Sequence, residues 1–204
     1  MKNSIKKFYK QISLIVLFII FLLIIVFNYP PVFIKEIDSI VFTDSLGNQN
    51  YSLCLPAAYT TSNGKIEGEY MINGKIYGNP SRKERISIHP IKGLIISGQW
   101  HANNGFQQTV LVKNYKARTF KDSRKRIRRA LCNEGKNSNS YLIIQSSYPM
   151  TLTEFAKHVA LYSYNAVNLD TGTFGFGKIN NKYYHKWALL NKNSQTNWIV
   201  NLEY

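Results

Sequence analysis

The hydrophobic and polar positions of this 204-residue chain form one long apolar run followed by many short alternating ones. Leu14 to Phe27 is uninterrupted apolar, and no charge appears between Lys10 and Lys35. Extended from Ile12 through Phe33, the run is long enough to cross a bilayer core of roughly 30 Å as a helix. Beyond it the period falls to two. Ile37 to Phe42, alternating with Asp38, Ser39 and Thr43, predicts a first strand, and Tyr51 to Leu55 a second, stopped by Pro56. Asn73-Gly74 between alternating residues is a hairpin signal that pairs Glu69–Ile72 with Lys75–Tyr77. Further strands are predicted over Ile86 to Ile96 (interrupted at His89-Pro90), Phe106 to Val112, Ala130 to Cys132 and Tyr141 to Gln145. Lys186 to Leu190 and Trp198 to Leu202 supply the last two.

One stretch departs from this period. Leu152, Phe155, Ala156, Val159 and Ala160 recur at helical spacing, behind a Thr151/Glu154 capping box. The helix is followed by a short strand, Ala166 to Leu169, which delivers Asp170 into the turn Thr171-Gly172-Thr173. A carboxylate at a strand end beside a glycine turn is well placed for chemistry, because the scaffold is rigid and the loop is open. Asn168 and Asp170, two apart, share a face if the strand continues.

Composition supports a folded domain: hydrophobic residues make up 45% and aromatic residues 14% of the chain, and the 14 Tyr and 11 Phe favour strands. Charge gives the apolar run an orientation. Lys2, Lys6, Lys7 and Lys10 precede it, only Lys35 and Glu36 follow closely, and no small-residue cleavage site is visible before Asn28-Tyr29-Pro30-Pro31. The pattern predicts an uncleaved signal anchor in the inner (cytoplasmic) membrane, with a cleaved signal peptide as the other reading. Residues 1–11 form a cytoplasmic basic tail, 12–33 the anchor in the lipid bilayer, and 36–204 an extracytoplasmic domain. Beyond the anchor the chain holds twenty-two basic residues, Lys35 included, against eleven acidic ones, an excess of eleven. The excess favours anionic partners such as phosphate-bearing glycans or lipid headgroups, and the extracytoplasmic address argues against nucleic acid.

The remaining chemistry leaves alternatives open. Cys54 and Cys132 admit either a disulfide closing a loop of roughly 80 residues, worth up to about 4.5 kcal/mol, or two separate buried thiols. His89, His101, His158 and His185 are scattered and there is no metal-type cysteine spacing, so no metal site is expected and no cofactor is indicated. Trp100-His101-Ala102-Asn103-Asn104 suits sugar contacts or an ordinary polar loop. The basic run Lys121 to Arg129 suits phosphate, through the planar fork of arginine, or a solvated or membrane-facing surface.

From about Thr60 to Ile179 the order of features resembles the phosphodiester glycosidase family. The matching features are Tyr70-Met71-Ile72-Asn73-Gly74-Lys75, the Gln107-Gln108 strand leading to Leu111-Val112, an Arg (Arg128 or Arg129) opening a strand, and above all Met150 to Ala156 and Ala166 to Asp170. Family members usually continue from that aspartate into two or three glycines and a serine, whereas this chain has Thr171-Gly172-Thr173-Phe174. The resemblance implies a mixed α+β domain with a central sheet and helices packed upon it. With the patterning, it predicts an α+β fold: a strand-rich mixed sheet with packed helices, preceded by one N-terminal transmembrane helix. It also implies hydrolysis of a sugar-1-phosphodiester bond in an envelope glycan or glycolipid. Glycosidic cleavage usually uses two carboxylates. Asp170 is the first choice, as base or nucleophile, with Asn168 orienting sugar or water, Arg128 neutralising the phosphate leaving group, and Glu69 a second carboxylate. Gln107, Gln108, Thr171, Gly172, Thr173 and Arg129 are candidate substrate contacts. The alternative is a relative that binds a phosphorylated or otherwise anionic glycan without turnover.

Overall fold

The computed structural model describes residues 14–18, 32–46, 51–61, 63–171, 177–179, 182–184 and 197–202. Chain contacts divide it into two units, Met1–Pro31 and Val32–Tyr204. In the first unit residues 14–18 are helical and solvent-exposed. Among the described residues no helix is long and apolar enough to cross a membrane. Most of the 12–33 segment lies outside them. Its last two residues belong to a strand, because Val32 is buried against the apolar side chains of the second unit.

The second unit corrects the α+β expectation. It is built from three sheets whose strand pairs are all antiparallel among the described residues, with one helix packed on the first sheet, rather than a mixed sheet carrying several helices. The reason is visible in the chain. Among the described residues of this unit only 152–160 sustain a 3.6-residue period, while the others break into runs of two to six residues separated by turns.

The first sheet contains β1 (Val32–Ile37), β9 (Val110–Lys113), β10 (Lys116–Ala117), β11 (Arg129–Asn133), β12 (Tyr141–Ser146) and β13 (Asn165–Asn168), in the order β1-β12-β11-β13-β9-β10. The second contains β2 (Val41–Thr43), β3 (Tyr51–Pro56), β14 (Gly177–Ile179), β15 (Lys182–Tyr184) and β16 (Trp198–Leu202), in the order β15-β14-β3-β16-β2. The third contains β4 (Tyr70–Ile72), β5 (Lys75–Tyr77), β6 (Arg85–His89), β7 (Gly93–Ser97) and β8 (Gly105–Phe106), in the order β5-β4-β8-β6-β7.

The two-residue period explains how the first sheet is covered on both faces. Leu131, Ile143 and Val167 point into a core shared with Phe42, Leu55, Ile86, Phe106 and Ile199 from the other sheets. Their neighbours Ala130, Cys132, Leu142, Ile144 and Ala166 point the other way, onto Leu152, Phe155, Ala156 and Val159 of α1 (Leu152–Val159). The helix starts where the capping box predicts: Glu154 N–H donates to Thr151 Oγ1 (3.1 Å), and Thr151 N–H donates to Glu154 Oε2 (2.8 Å).

Turn chemistry accounts for the hairpins. Asn73 (φ 51°) and Gly74 (φ 79°) join β4 to β5 with two successive left-handed residues. At the β6–β7 connection His89 Nδ1 accepts from the N–H groups of Ile91 and Lys92, both at 3.1 Å, so His89-Pro90 is a turn rather than a break in one strand. The predicted strand Phe106 to Val112 is likewise two strands in two sheets, joined by Gln107, Gln108 and Thr109. The expected first strand at Ile37 to Phe42 is instead the crossing from β1 to β2. Cys54 and Cys132 are buried in different clusters and not joined to each other, so of the two readings the disulfide is the one that does not hold. The strand predicted at Lys186 to Leu190 lies outside the described residues.

Candidate functional site

Where the chain passes between sheets, three segments are tied by backbone hydrogen bonds. Asp170 N–H donates to the Ala57 carbonyl (2.9 Å), Asn168 N–H to Thr109 (2.8 Å) and Leu169 N–H to Arg129 (2.9 Å). Gln108 Nε2 also donates to the Ala57 carbonyl (3.4 Å). Buried Asn197 clamps the same stretch, its Oδ1 accepting from Ala58 N–H (2.6 Å) and its Nδ2 donating to the Ala58 carbonyl (3.1 Å). Two residues beyond Ala57 stands Tyr59, and the candidate side chains gather around it.

Asn168 is 3% exposed and donates from Nδ2 to the Tyr59 hydroxyl (2.9 Å) and to the Leu169 carbonyl (3.0 Å). Its Oδ1 is buried and without a hydrogen-bond partner. Burial raises the Tyr59 pKa above its ordinary value, and the negative charge of Asp170 raises it further. A hydrogen bond with the Thr109 side chain and the positive charges of Arg128 and Arg82 oppose the shift. The phenol is therefore neutral near pH 7, and Asp170, Asn168 and Arg128 all act upon it. The guanidinium of Arg82 lies over its ring, 5.6 Å from the centroid. Tyr59, Thr109 and Arg82 were not singled out from the sequence, since no local pattern distinguishes one tyrosine among fourteen.

The structure also shows what holds each candidate. Arg128 is 7% exposed; its Nε donates to the Met150 carbonyl (3.3 Å) and its Nη2 to the Arg124 carbonyl (2.7 Å), with Asp122 Oδ2 at 3.6 Å. Burial lowers its pKa, Asp122 and Tyr59 oppose this, and neighbouring Arg126 adds to the lowering. Arg124 holds the Asp122 carboxyl down at about 2 through hydrogen bonds. Arg129 is 1% exposed, and its Nε (3.0 Å) and Nη2 (2.7 Å) donate to Oε1 of its cross-strand neighbour Gln145. Thr171 Oγ1 donates to the Ile127 carbonyl (3.3 Å). Gly172 and Thr173 lie outside the described residues.

Gln107 is occupied differently. Its Oε1 accepts from the N–H groups of Glu69 (2.9 Å) and Ser81 (3.0 Å), and its Nε2 donates to the carbonyl of Arg82 (2.6 Å), so the amide is spent on holding the 67–84 segment. Gln108 Oε1 accepts from Thr109 N–H (2.7 Å). Glu69 is ion-paired with Arg85 and is not among the charges acting on Tyr59. Among the described residues, no group of three or more His, Cys, Asp or Glu side chains could hold a metal ion.

No protein-family model matches the chain, and no curated protein matches it by sequence. Solved structures resemble it in fold. The catalytic domain of zebrafish N-acetylglucosamine-1-phosphodiester alpha-N-acetylglucosaminidase, auto-inhibited by its pro-peptide, superposes with a TM-score of 0.59 at 13% identity, over 87% of this chain and 85% of that one. A hypothetical protein from Synechocystis gives a TM-score of 0.48 at 9% identity, over 85% of this chain and 57% of that one. The likeness is one of fold. It makes the relationship to the glycosidase domain distant, and the chemistry has to be argued from this chain's own residues.

Proposed function

We propose that the 32–204 unit binds a sugar-1-phosphodiester at the junction around Tyr59 and hydrolyses its glycosidic bond. The observation that carries this reading is that Asp170 and Asn168 at one strand end, and Arg128 from a distant segment, all act on one half-buried phenol. Asp170 serves as base or nucleophile at the anomeric carbon. Asn168, whose Oδ1 has no protein partner, orients the sugar or the attacking water. Arg128 and Arg82 supply positive charge for the departing phosphate, and neutral Tyr59 donates a hydrogen bond. A phosphodiester is a good leaving group, so little acid assistance is needed. The test is release of free sugar from N-acetylglucosamine 1-phosphate methyl ester by the full chain. Asp170→Asn should lower the rate at least about 100-fold, the scale of losing a positioned acid–base group. An unchanged rate in that variant removes the mechanism.

A second reading, binding without turnover, rests on how the neighbouring carboxylates are used. Glu67 pairs with Arg82 (3.0 Å), Glu84 with Lys113 (2.8 Å) and Arg118 (2.7 Å), and Asp122 with Arg124 (2.8 Å). The turn after Asp170 also lacks the glycine run. Salt-sensitive binding of an anionic glycan with no product selects this reading. For the apolar run at 14–27 we propose membrane attachment, with the basic tail cytoplasmic and the folded unit extracytoplasmic. Resistance to alkaline carbonate extraction would support it, and release into the soluble fraction would remove it.

A further inference from the structure

Two neighbouring cavities of the 32–204 unit are lined by cations. One, of about 520 Å³, has Arg82, Lys83, Glu84 and Arg118 in its wall. The other, of about 330 Å³, has Lys92, Lys113 and Lys136 around a floor that includes buried Leu94 and Ile96, and no carboxylate among its lining residues. They meet at a single ion cluster: Glu84, in the first cavity, accepts from Arg118 of the same wall (2.7 Å) and from Lys113 of the second (2.8 Å). Across both cavities six cationic side chains line the walls against one carboxylate. At one end Arg82 lies over the Tyr59 ring. At the other, Asn165 opens strand β13, whose last residue, Asn168, bonds Tyr59. Three residues of strand put these ends roughly 10 Å apart along β13 alone.

We infer that this strip is a track for a linear polyanion, a glycan carrying phosphate in its repeat. One phosphodiester occupies the Tyr59 site and further repeats lie along Arg118 and Lys113 toward Lys92 and Lys136. The choice of a phosphate-bearing glycan rests on the function proposed above; the extent and charge of the strip do not. A glycan is favoured over a nucleic acid because the aromatic side chains in the walls are already engaged. Tyr164 packs edge-to-face with Tyr115 (centroids 5.2 Å apart), and Phe120 packs against the apolar cluster beneath α1. A single-stranded nucleic acid would need such faces open for its bases.

The experiment uses the full chain and three probes: a six-repeat poly(N-acetylglucosamine 1-phosphate), its single-repeat diester, and a single-stranded oligonucleotide of equal charge. The variant is the double Lys92→Gln/Lys136→Gln, which removes two exposed charges that are not among the groups acting on Tyr59; a matching thermal melt confirms its fold. The six-repeat probe should bind the unaltered chain at least tenfold more tightly than the single repeat. The double variant should lose about tenfold for the six-repeat probe and nothing for the single repeat. Its dependence of log K on log salt should fall by about 1.4, on the single-strand scale of about 0.7 per lost contact. Equal binding of long and short glycan, or a double variant that binds the long glycan normally, overturns the track. Oligonucleotide binding as tight as the glycan overturns the glycan assignment. If Asp170→Asn leaves hydrolysis unchanged while long-glycan binding still depends on the two lysines, the catalytic reading fails and the track stands.

Discussion

Gln107→Leu tests whether Gln107 is a scaffold element rather than a substrate contact. The amide is fully buried and satisfies the N–H groups of Glu69 and Ser81 and the Arg82 carbonyl. Leucine is similar in volume but leaves all three backbone groups without their partner. An unsatisfied buried group costs about 1–3 kcal/mol, so three groups set an expected loss of roughly 3–6 kcal/mol after partial rescue by water. Measured against a total of about 5–15 kcal/mol, that is a large share of the stability of a domain this size. Urea unfolding at equilibrium reads it directly as a lower midpoint with an unchanged slope. Because the same amide anchors Arg82, any hydrolytic activity should fall with it. A stability loss below about 1 kcal/mol, with a raised KM as the main effect, would refute the clamp and return Gln107 to the substrate-binding role.

Other outcomes follow from the same geometry. Burial pushes the Tyr141 phenol from its ordinary 10.0 up to about 12, while its hydroxyl donates to the His89 carbonyl (3.1 Å). The folded state therefore holds this proton where the unfolded chain releases it. Stability is full below pH 10 and falls as pH rises toward 12, and Tyr141→Phe should flatten that alkaline loss in unfolding experiments. Thr151→Ala removes the cap of α1 and should cost about 1 kcal/mol, read as a lower Tm. Phe155→Ala, emptying a fully buried site between the helix and the first sheet, should cost about 3–5 kcal/mol in the same assay. Cys54 and Cys132, both buried and not joined by a disulfide, should resist a thiol reagent in the native protein and react as two thiols once it is unfolded. Non-reducing and reducing samples should show the same stability.

Much of the local structure was legible because it depends on neighbours in sequence. Thr151 and Glu154 are three apart, so their capping box and the helical stripe behind it are properties of a short segment. Asn73-Gly74 specifies a left-handed turn whatever surrounds it. The strands of the first sheet read as apolar runs because the helix and the shared core bury alternate residues. Errors arose where long-range pairing decides. Gln107 and Gln108 read as the start of one strand, Phe106 to Val112, but the chain changes sheets there and the Gln107 amide holds the 67–84 segment. Val32 and Phe33 read as the last residues of the apolar 12–33 run, and pairing of Val32 with Ser146 makes them the start of strand β1.

The order of residues is enough to specify the elements whose physics is local: the capped helix, the hairpin turn, the many short strands and the basic excess. It also placed Asn168 and Asp170 at a strand end. Long-range packing arranges these strands in three antiparallel sheets, puts the two cysteines in separate clusters, and joins Tyr59, Thr109 and Arg82 to Asn168, Asp170 and Arg128. The reason is separation along the chain. Tyr59 and Asn168 are 109 residues apart, and nothing in either neighbourhood specifies the other. Their contact exists because backbone hydrogen bonds from Asp170 to Ala57 and from Asn168 to Thr109 close the junction between sheets.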